Sequence, residues 1–340
     1  MIKPFTPFKP MEPVSHSSPF DDGNYGFQIK WDGTRILAHI SKGQVQLYNR
    51  KMHQRTKQYP EIAIFLSDFF KNRSVILDGE IITLVNGKPN FQQLMRRDWA
   101  TDSATIRYLM TKIPVTYVVF DLLYLDDQPL IDKPFWERDK ALHNIIKSQD
   151  PVVLTDTFNG RGTLLFELVK QKELEGIVAK RLDSIYQIGK KIDSWVKIKN
   201  KRKLIATIGG FLYEGQQLRS LLLGSHEREE FIYIGRAFSG LKEKDAKEIY
   251  KKLQDYITDN CPFTNAVPLT RREKALWVKP ILTVEVEYMD FTDAGPLRHP
   301  VIKGIQLCFI QPSSFCVLFS LPSPFFHLCL FLFQPVPDLL

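Results

Sequence analysis

Cysteine is nearly missing from the body of this 340-residue chain, where Cys261 is the only one before residue 300. This scarcity excludes a framework of disulfide bonds there and is typical of proteins from a reducing compartment. Prolines interrupt the opening MIKPFTPFKPMEPVSH and leave no apolar stretch long enough for a signal peptide. We therefore expect the main body to be cytoplasmic.

The sequence also lacks the G-x-x-x-x-G-K-[ST] loop with which P-loop enzymes cradle phosphates. Any phosphate bound here must be held by side-chain cations. Cations are in excess, since the formal net charge is +8. Clustered Lys and Arg gain affinity for polyanions by releasing counterions from phosphates, so nucleic acid is a candidate partner and a solvated basic surface is the alternative.

The region from Tyr25 to about Lys199 mixes short β-rich runs with helical stretches. Residues 36–49 and 75–90 predict two hairpins, which turn at Lys42-Gly43 and at Asn86-Gly87. TYVVFDLLYLDD predicts a buried strand, and GTLLFELVKQKELEG predicts a helix with Gly176 as its C-cap. The pattern indicates an α+β region built mostly from antiparallel strands.

The basic run KIKNKRK, residues 197–203, marks a change in composition. Beyond it, four or five short strands and one helix at residues 242–256 are typical of a small barrel, and an OB-fold is the leading candidate. We predict an α+β domain over residues 1–200, which the resemblance described below implies is an adenylation domain, an OB-fold domain over 201–305 and a separate segment over 306–340.

That last segment is rich in Phe, Leu, Cys and Pro, and Asp338 is its only formal charge. A membrane span needs about 20 uninterrupted apolar residues, and Pro312, Pro322 and Pro324 interrupt this one. We expect an aberrant apolar tail, such as a change of reading frame would produce, that is not part of the fold. A docking tail and membrane association are the alternatives, and no stable membrane partner is expected.

Charged residues recur at or beside the predicted strands of the first region. KWDGTR places Lys30 and Arg35 around an Asp-Gly pair, and LDGEII places Asp78 and Glu80 on one strand face. Further residues of this kind lie in YNRK (Arg50, Lys51), VVFDLLYLD (Phe120, Asp121), EGIVAKR (Glu175, Lys180, Arg181) and SWVKIKN (Lys197, Lys199).

Buried strands seldom carry so many charges without pairing them. Carboxylates can hold a hard metal ion, cations can hold phosphates and an aromatic ring can stack on a base. The combination predicts a site for a nucleotide with Mg²⁺. Taken singly, Lys30 is also explained as a surface lysine before a turn, Phe120 as a core residue, and Asp32 and Asp78 as turn formers.

In order, KWDGTR, YNRK, LDGEI, VVFDLLYLD, EGIVAKR and SWVKIK resemble the successive motifs of ATP-dependent DNA ligases, which belong to the covalent nucleotidyltransferases. The sequences of these motifs are similar to those of small bacterial and phage ligases and of the ligase domains of bacterial end-joining proteins. The resemblance covers about residues 10–305. It implies an ATP-grasp-like α+β domain, with antiparallel sheets and flanking helices, followed by an all-β OB-fold barrel.

The resemblance also implies a role for each matching residue. Lys30 would be the nucleophile that attacks the α-phosphorus of ATP, Phe120 would stack on adenine, and Lys197 and Lys199 would hold the α-phosphate. The implied nucleotide contacts are Gln28, Ile29, Arg35, Arg50, Glu80, Phe120, Lys197 and Lys199, the metal contacts are Glu80 and Glu175, and the DNA contacts are Arg50, Lys51, Arg181, Arg298 and Lys303.

The implied activity is the sealing of nicks with 3′-hydroxyl and 5′-phosphate ends. ATP would donate AMP, Mg²⁺ would be the metal with Mn²⁺ as an alternative, and nicked double-stranded DNA would be the substrate. We expect a monomer in the bacterial nucleoid or in a phage-infected cell, with a Ku-like end-binding protein as a candidate partner. The alternatives are an RNA ligase, a capping-type guanylyltransferase, and a nicked-DNA-binding protein impaired in self-adenylylation.

The chain departs from the family pattern at both ends. Many family members carry glutamate where Gln28 stands, and the amide oxygen of Gln28 can still accept a hydrogen bond from the adenine amino group. At the other end Arg298 and Lys303 are retained, but Ile302 replaces the usual Phe and QLCFIQP replaces a charged continuation. In the family that continuation orients the pyrophosphate leaving group, so its loss predicts poor self-adenylylation.

Overall fold

The computed structural model describes residues 2–227, 230–292 and 295–306. The chain forms two compact units, the first ending at Lys201 and the second beginning at Arg202. The predicted domain limits, 1–200 and 201–305, stay a proposal. The aberrant tail is expected over residues 306–340; its first residue, Gln306, ends the last strand, and residues 307–340 lie outside the described residues.

The first unit combines short strands with helices. Its strands are β1 (Glu12–Ser15), β2 (Tyr25–Lys30), β3 (Thr34–Ser41), β4 (Gln44–Asn49), β5 (Ser74–Ile82), β6 (Leu84–Val85), β7 (Lys88–Pro89), β8 (Thr116–Leu125), β9 (Gln128–Pro129), β10 (Val152–Leu154), β11 (Phe158–Asn159), β12 (Gly176–Arg181) and β13 (Lys191–Lys199). Its helices are α1 (Pro60–Phe69), α2 (Phe91–Asp98), α3 (Ser103–Lys112), α4 (Phe135–Ile145) and α5 (Gly162–Gln171).

Two sheets organise this unit. One has the strand order β1-β13-β12-β2-β11, and the other has the order β10-β8-β5-β3-β4 with β9 beside β8. Most pairs are antiparallel, as predicted, whereas β1–β13 and β10–β8 are parallel. Buried Leu37 and Ile76 of the second sheet share an apolar cluster with Trp195 of the first. Burial of such side chains contributes about 1.5–3 kcal/mol each, so this cluster helps to hold the two sheets together.

The predicted hairpin turns are confirmed. Lys42 and Gly43 have φ values of 49° and 74°, and Asn86 and Gly87 have values of 51° and 75°, as tight two-residue hairpins require. The predicted end of α5 is wrong, because the helix stops at Gln171 and Gly176 begins β12. Gly176 has φ 151°, and a Cβ there would lie 2.1 Å from the carbonyl oxygen of Ile198, so close strand packing requires glycine at this position.

The second unit is a β-barrel with one helix among its described residues, and its fold is the predicted OB-fold. Strand β14 lies at its centre, since it pairs with β15, β18 and β19, while β22 extends the sheet beyond β19. Its elements are β14 (Arg202–Glu214), β15 (Gln217–Glu227), β16 (Glu230–Ala237), α6 (Glu243–Gln254), β17 (Ile257–Thr258), β18 (Lys274–Val278), β19 (Thr283–Tyr288), β20 (Asp290–Phe291), β21 (Leu297–Arg298) and β22 (Val301–Gln306).

Helix α6 confirms the helix predicted at residues 242–256, and it packs Ala246, Ile249 and Leu253 into the barrel core. Within the ranges that the structure describes, no helix has the length and apolar character that a membrane crossing would need.

Candidate active site

Three adjacent strands align the predicted lysines. Lys30 at the end of β2 lies opposite Gly176 of β12, which lies opposite Lys199 of β13. Gln28 and Lys197 occupy the next row with the same side-chain direction, because alternate strand residues share a face. We call this surface, which carries Lys30, Lys197 and Lys199, the lysine face.

Glu175 joins two of these lysines. Its Oε2 accepts a hydrogen bond from Lys30 Nζ at 2.5 Å, and its Oε1 lies 3.4 Å from Lys199 Nζ. The side chains of Lys30 and Glu175 are 21% and 10% exposed, so the pair is shielded but still reachable from solvent. Burial lowers the pKa of Lys197, and the nearby charges of Lys30 and Lys199 lower it further. The lysine face is thus a concentrated cationic surface that suits a phosphate group.

Glu80 belongs to the same charged region. The predicted placement of Asp78 and Glu80 on one strand is confirmed, since both lie in β5, and Glu80 is opposite Arg35 of β3. Burial raises the pKa of Glu80 to about 8, while the charges of Lys30 and Arg35 oppose that rise. Glu80 is therefore a half-buried carboxyl close to the nucleophile candidate.

Arg35 points into the protein. Its Nε and Nη2 donate to Asp78 Oδ1 and Oδ2 at 2.9 and 2.6 Å, and Tyr186 donates its hydroxyl to Asp78 Oδ2 at 2.7 Å. The guanidinium lies 5.2 Å from the Phe120 ring and 5.8 Å from the Trp195 ring. Asp78 is consequently no turn former. It is a buried strand residue that fixes Arg35 behind the aromatic ring expected to stack on the base.

Phe120 lies on a β-bulge. Asp121 pairs with Asp78 and Val119 pairs with Gly79, which leaves Phe120 as the extra residue of β8. Bulges of this kind redirect a side chain out of the regular pleat. The bulge is tied from below by Lys180, whose Nζ donates to the Phe120 carbonyl oxygen at 2.9 Å and lies 4.6 Å from its ring.

Sequence reasoning missed this function of Lys180. The residue is 2% exposed, its Nζ lies 4.2 Å from the Trp195 ring, and burial lowers its pKa to about 8. The available signal was strand alternation, because Lys180 and Arg181 must point to opposite faces of β12 and only one of them can reach solvent. Arg181 is the exposed one, paired with Asp183 at 2.6 Å.

Gln28 is held by a hydrogen-bond chain that the sequence did not suggest. Its Nε2 donates to Thr157 Oγ1 at 2.9 Å, and Thr157 Oγ1 donates to Asp139 Oδ1 at 3.1 Å. Gln28 is 2% exposed. Ile29, which follows it, points to the other face and packs in the cluster containing Leu165 of α5, so only its backbone can face a nucleotide on the lysine face.

The residues predicted to contact DNA are dispersed over both units. Arg50 is 61% exposed and lies 3.6 Å from Glu12, and the neighbouring Lys51 is exposed too. In the second unit, Arg298 is in β21, and Lys303 of β22 lies 3.4 Å from Glu287. Because Arg50 and Lys51 of the first unit are exposed, a polyanion can reach them without a rearrangement of the fold.

The carboxylates beside the lysine face can be compared with the ligands that a bound Mg²⁺ would need. In the described ranges there is no group of three or more His, Cys, Asp or Glu side chains arranged to hold an ion. Mg²⁺ is usually bound through one or two carboxylates together with waters and substrate phosphates. The two carboxylates Glu80 and Glu175 beside the lysine face fit an ion of that kind and not a closed protein cage.

Family models match the chain in two parts. The ATP dependent DNA ligase domain matches residues 13–199, which is more than half of the chain, and the ATP dependent DNA ligase C terminal region matches residues 214–307. The chain belongs to the ATP-dependent DNA ligase family. The part of the chain matched by the first model contains the candidate site residues Lys30, Glu80, Phe120 and Glu175.

Relatives of this ligase-family chain include longer proteins. It is 31% identical over 288 residues to the multifunctional non-homologous end joining protein LigD of Mycolicibacterium smegmatis, a match covering 83% of this chain and 36% of that protein. The SPbeta prophage-derived DNA ligase-like protein LigB of Bacillus subtilis is 34% identical over 192 residues, covering 56% of this chain and 67% of that one. The chain thus spans little more than a third of LigD.

A solved structure of matching size supports the fold. The crystal structure of the ligase domain from M. tuberculosis LigD has 29% sequence identity and a TM-score of 0.53, covering 88% of this chain and 95% of that domain. The match extends over most of both chains, so it includes the nucleotidyltransferase unit and the OB-fold unit of this protein.

Proposed function

We propose that this chain is an ATP-dependent DNA ligase that seals nicks through a lysyl-AMP intermediate and a DNA-adenylate. The observation that carries the proposal is the position of Lys30. Its amine lies at the end of β2, in contact with Glu175, on a face that it shares with Lys197 and Lys199. A primary amine surrounded by cations is suited to attack a phosphorus atom whose oxygens those cations hold.

In the first step Lys30, after loss of a proton, attacks the α-phosphorus of ATP. An N–P bond forms, the bond to the β-phosphate oxygen breaks, and pyrophosphate leaves. Lys197 and Lys199 would neutralise the α-phosphate oxygens while Glu175 holds the Lys30 amine in place. Mg²⁺ bound by Glu80, Glu175 and the triphosphate would neutralise further phosphate charge, and Mn²⁺ would serve similarly. Positioning and charge neutralisation supply most of the rate in such transfers.

The remaining steps use DNA. An oxygen of the 5′-phosphate at a nick attacks the phosphorus of lysyl-AMP, which releases the Lys30 amine. The 3′-hydroxyl then attacks the 5′-phosphate, AMP leaves and the phosphodiester bond is closed. We assign Arg50, Lys51 and Arg181 of the first unit and Arg298 and Lys303 of the second to the DNA backbone, because cations contribute sequence-independent affinity for phosphates.

The similarity to LigD supports a place in the end joining of bacterial DNA, with a Ku-like protein as the recruiting partner. The same similarity supports action in the cytoplasm of a bacterial cell, where the DNA is located.

The test is direct. The protein is incubated with Mg²⁺ and either ATP or GTP, and the mass added to Lys30 is measured. Nicked DNA and pre-adenylylated nicked DNA are then supplied. We expect an AMP adduct with ATP and sealing of at least the pre-adenylylated nick. Sealing of that nick without an adduct would assign the defect to self-adenylylation, as the altered C-terminal sequence predicts.

Two variants sharpen this experiment. Lys30→Ala is expected to abolish the adduct, and Lys170→Ala, which removes an exposed lysine of α5, is expected to leave it unchanged. An adduct on the Lys30→Ala protein would disprove the assignment of the nucleophile. Failure of the unaltered protein to form an adduct and to seal either substrate would disprove the ligase function.

A further inference from the structure

Three side chains from distant parts of the first unit form a chain that ends on the lysine face. Gln28 comes from β2, Thr157 from the segment between β10 and β11, and Asp139 from α4. The Gln28 Nε2 to Thr157 Oγ1 distance is 2.9 Å, and the Thr157 Oγ1 to Asp139 Oδ1 distance is 3.1 Å. Gly26 makes room for this chain, because a Cβ there would lie 2.6 Å from Thr157 Cγ2.

The hydrogen bonds that join Gln28, Thr157 and Asp139 can run in one direction only. An ionised carboxylate only accepts hydrogen bonds, and a threonine hydroxyl has a single hydrogen to donate. Thr157 therefore gives its hydrogen to Asp139, and its oxygen must accept from the amide nitrogen of Gln28. The amide oxygen of Gln28 is turned away from Thr157 and remains the acceptor available to a ligand.

The position of Gln28 matches the base of a nucleotide bound at Lys30. The two residues are two positions apart on one strand face, which is about 6.6 Å along the strand. One row further, Gly26 lies opposite Lys180, whose Nζ is 4.6 Å from the Phe120 ring. A base stacked on Phe120, with its α-phosphate at Lys30, brings its edge close to Gln28.

We propose that Thr157 and Asp139 are positioning residues that fix the Gln28 amide with its oxygen toward the base, and that they thereby select a 6-aminopurine over a 6-oxopurine. A glutamine amide can turn by half a rotation without a change in shape, and it would then present a donor that suits a 6-oxo group. If the Gln28 amide oxygen is fixed toward the base, it meets the lone pairs of a 6-oxo group, which is also an acceptor. That contact is repulsive, so a 6-oxopurine binds less well. This inference deepens the proposed function and depends on it.

The experiment compares ATP with ITP, which carries an oxygen at position 6 of the purine. Rates of nucleotide adduct formation on Lys30 and equilibrium dissociation constants are measured for both nucleotides. Asp139→Asn is the main variant, because its amide can donate to Thr157, whose hydroxyl can then donate to a reversed Gln28 amide. We expect the preference for ATP over ITP to fall at least tenfold, chiefly through improved use of ITP.

Two further variants separate positioning from structure. Thr157→Val removes the hydroxyl and is expected to lower the preference, whereas Thr157→Ser keeps the hydroxyl and is expected to retain it. In a Gln28→Glu protein the side chain accepts in either orientation, so adding Asp139→Asn is expected to leave the preference unchanged. A purely structural role would weaken ATP and ITP equally in every variant.

The outcomes are distinguishable from failure of the proposed function. If the unaltered protein forms no adduct and seals neither nicked DNA nor pre-adenylylated nicked DNA, the ligase proposal fails, and this inference fails with it. If it seals the pre-adenylylated nick but does not bind ATP, this inference alone fails. If ATP binds but forms no adduct, the ratio of the dissociation constants decides. An unchanged ATP-to-ITP ratio in Asp139→Asn overturns the inference, even if Thr157→Val does not fold.

Discussion

Arg35 and Asp78 form a two-point ion pair inside the first unit, with donor-acceptor distances of 2.9 and 2.6 Å. Asp78 is fully buried, and the side chain of Arg35 is only 14% exposed. Removing one partner of a buried pair leaves an uncompensated charge in a medium of low polarity. We therefore expect Asp78→Ala to lower the free energy of unfolding by about 3–5 kcal/mol, measured by urea titration.

Asp183→Ala is the matched control for that variant. Asp183 also binds an arginine, Arg181, at two points, but the two side chains are 68% and 49% exposed. Solvent screens such a pair, so its loss should not change the urea midpoint measurably. Equal destabilisation by both variants would show that burial is not the origin of the effect.

Local features of the fold were predictable because neighbouring residues determine them. The turn at Lys42-Gly43 needs two positive φ values, and a glycine between two β-rich runs predicts such a turn. The same holds for α6 and for the alternation that places Asp78 and Glu80 on one face of β5. Gly176 misled the helix prediction, since a glycine after a helical run is a common C-cap, whereas here close packing against Ile198 requires it.

The contacts that build the site were not predictable in the same way. Lys30 and Glu175 are far apart in sequence and meet only because β2 and β12 pair in one register. The contact of Thr157 with both Gln28 and Asp139 likewise depends on how α4 packs near the sheet. No spacing in the sequence encodes these meetings, and only the resemblance to a family brought the residues of the site together.

Glu175 is expected to control the charging of Lys30. Its carboxylate holds the Lys30 amine at 2.5 Å and also lies near Lys199. A hydrogen bond to a charged group contributes about 1.5–3 kcal/mol, which corresponds to about a 10- to 150-fold change in rate. We predict that Glu175→Gln slows AMP adduct formation within that range, as followed by the mass of the intact protein.

The neighbouring Glu173→Gln variant provides the comparison for Glu175→Gln. Glu173 is 43% exposed, and its carboxylate pairs with Lys88, which is 57% exposed. Its replacement should leave the rate of adduct formation within about twofold, because an exposed pair contributes little. Equal slowing by the two substitutions would remove the specific role of Glu175.

His39 is expected to make the first unit acid-sensitive. It is fully buried, and its Nδ1 accepts from the backbone N–H of Phe5 at 3.0 Å. Burial lowers its pKa to about 4 from the ordinary 6.5. Between these values the unfolded chain binds a proton that the folded chain does not, so stability falls as the pH decreases from 6.5 to 4. The loss is about 3 kcal/mol, at 1.36 kcal/mol per pKa unit.

The contribution of His39 can be isolated with His39→Leu. Unfolding free energies of both proteins are measured at pH 7.5 and 4.5. Other carboxyl and histidine groups titrate equally in the two proteins, and the lost Phe5 hydrogen bond adds an offset that does not depend on pH. The unaltered protein should lose about 2.5 kcal/mol more than the variant, because pH 4.5 is still above the folded pKa of about 4. Parallel losses would show that His39 does not titrate in this range.

Lys180 is expected to act in the alkaline range. Burial lowers its pKa to about 8 from 10.5, with the Phe120, Phe135 and Trp195 rings around its amine. Below pH 8 the folded and unfolded chains both carry the charge, and the full cost of burying it is present. Between pH 8 and 10.5 the unfolded chain binds more protons than the folded one, so stability rises with pH.

Lys180→Met measures this effect, because methionine fills a similar space and does not titrate. The unfolding free energy of the unaltered protein, minus that of the variant, should rise by about 3 kcal/mol between pH 7.5 and pH 10.5. The variant also loses the hydrogen bond that ties the bulge at Phe120. If that bulge positions the stacking ring, ATP binding should weaken in Lys180→Met even at pH 7.5, where its fold is not compromised. Unchanged ATP affinity, with the stability difference as predicted, would show that the buried amine serves the fold and not the nucleotide.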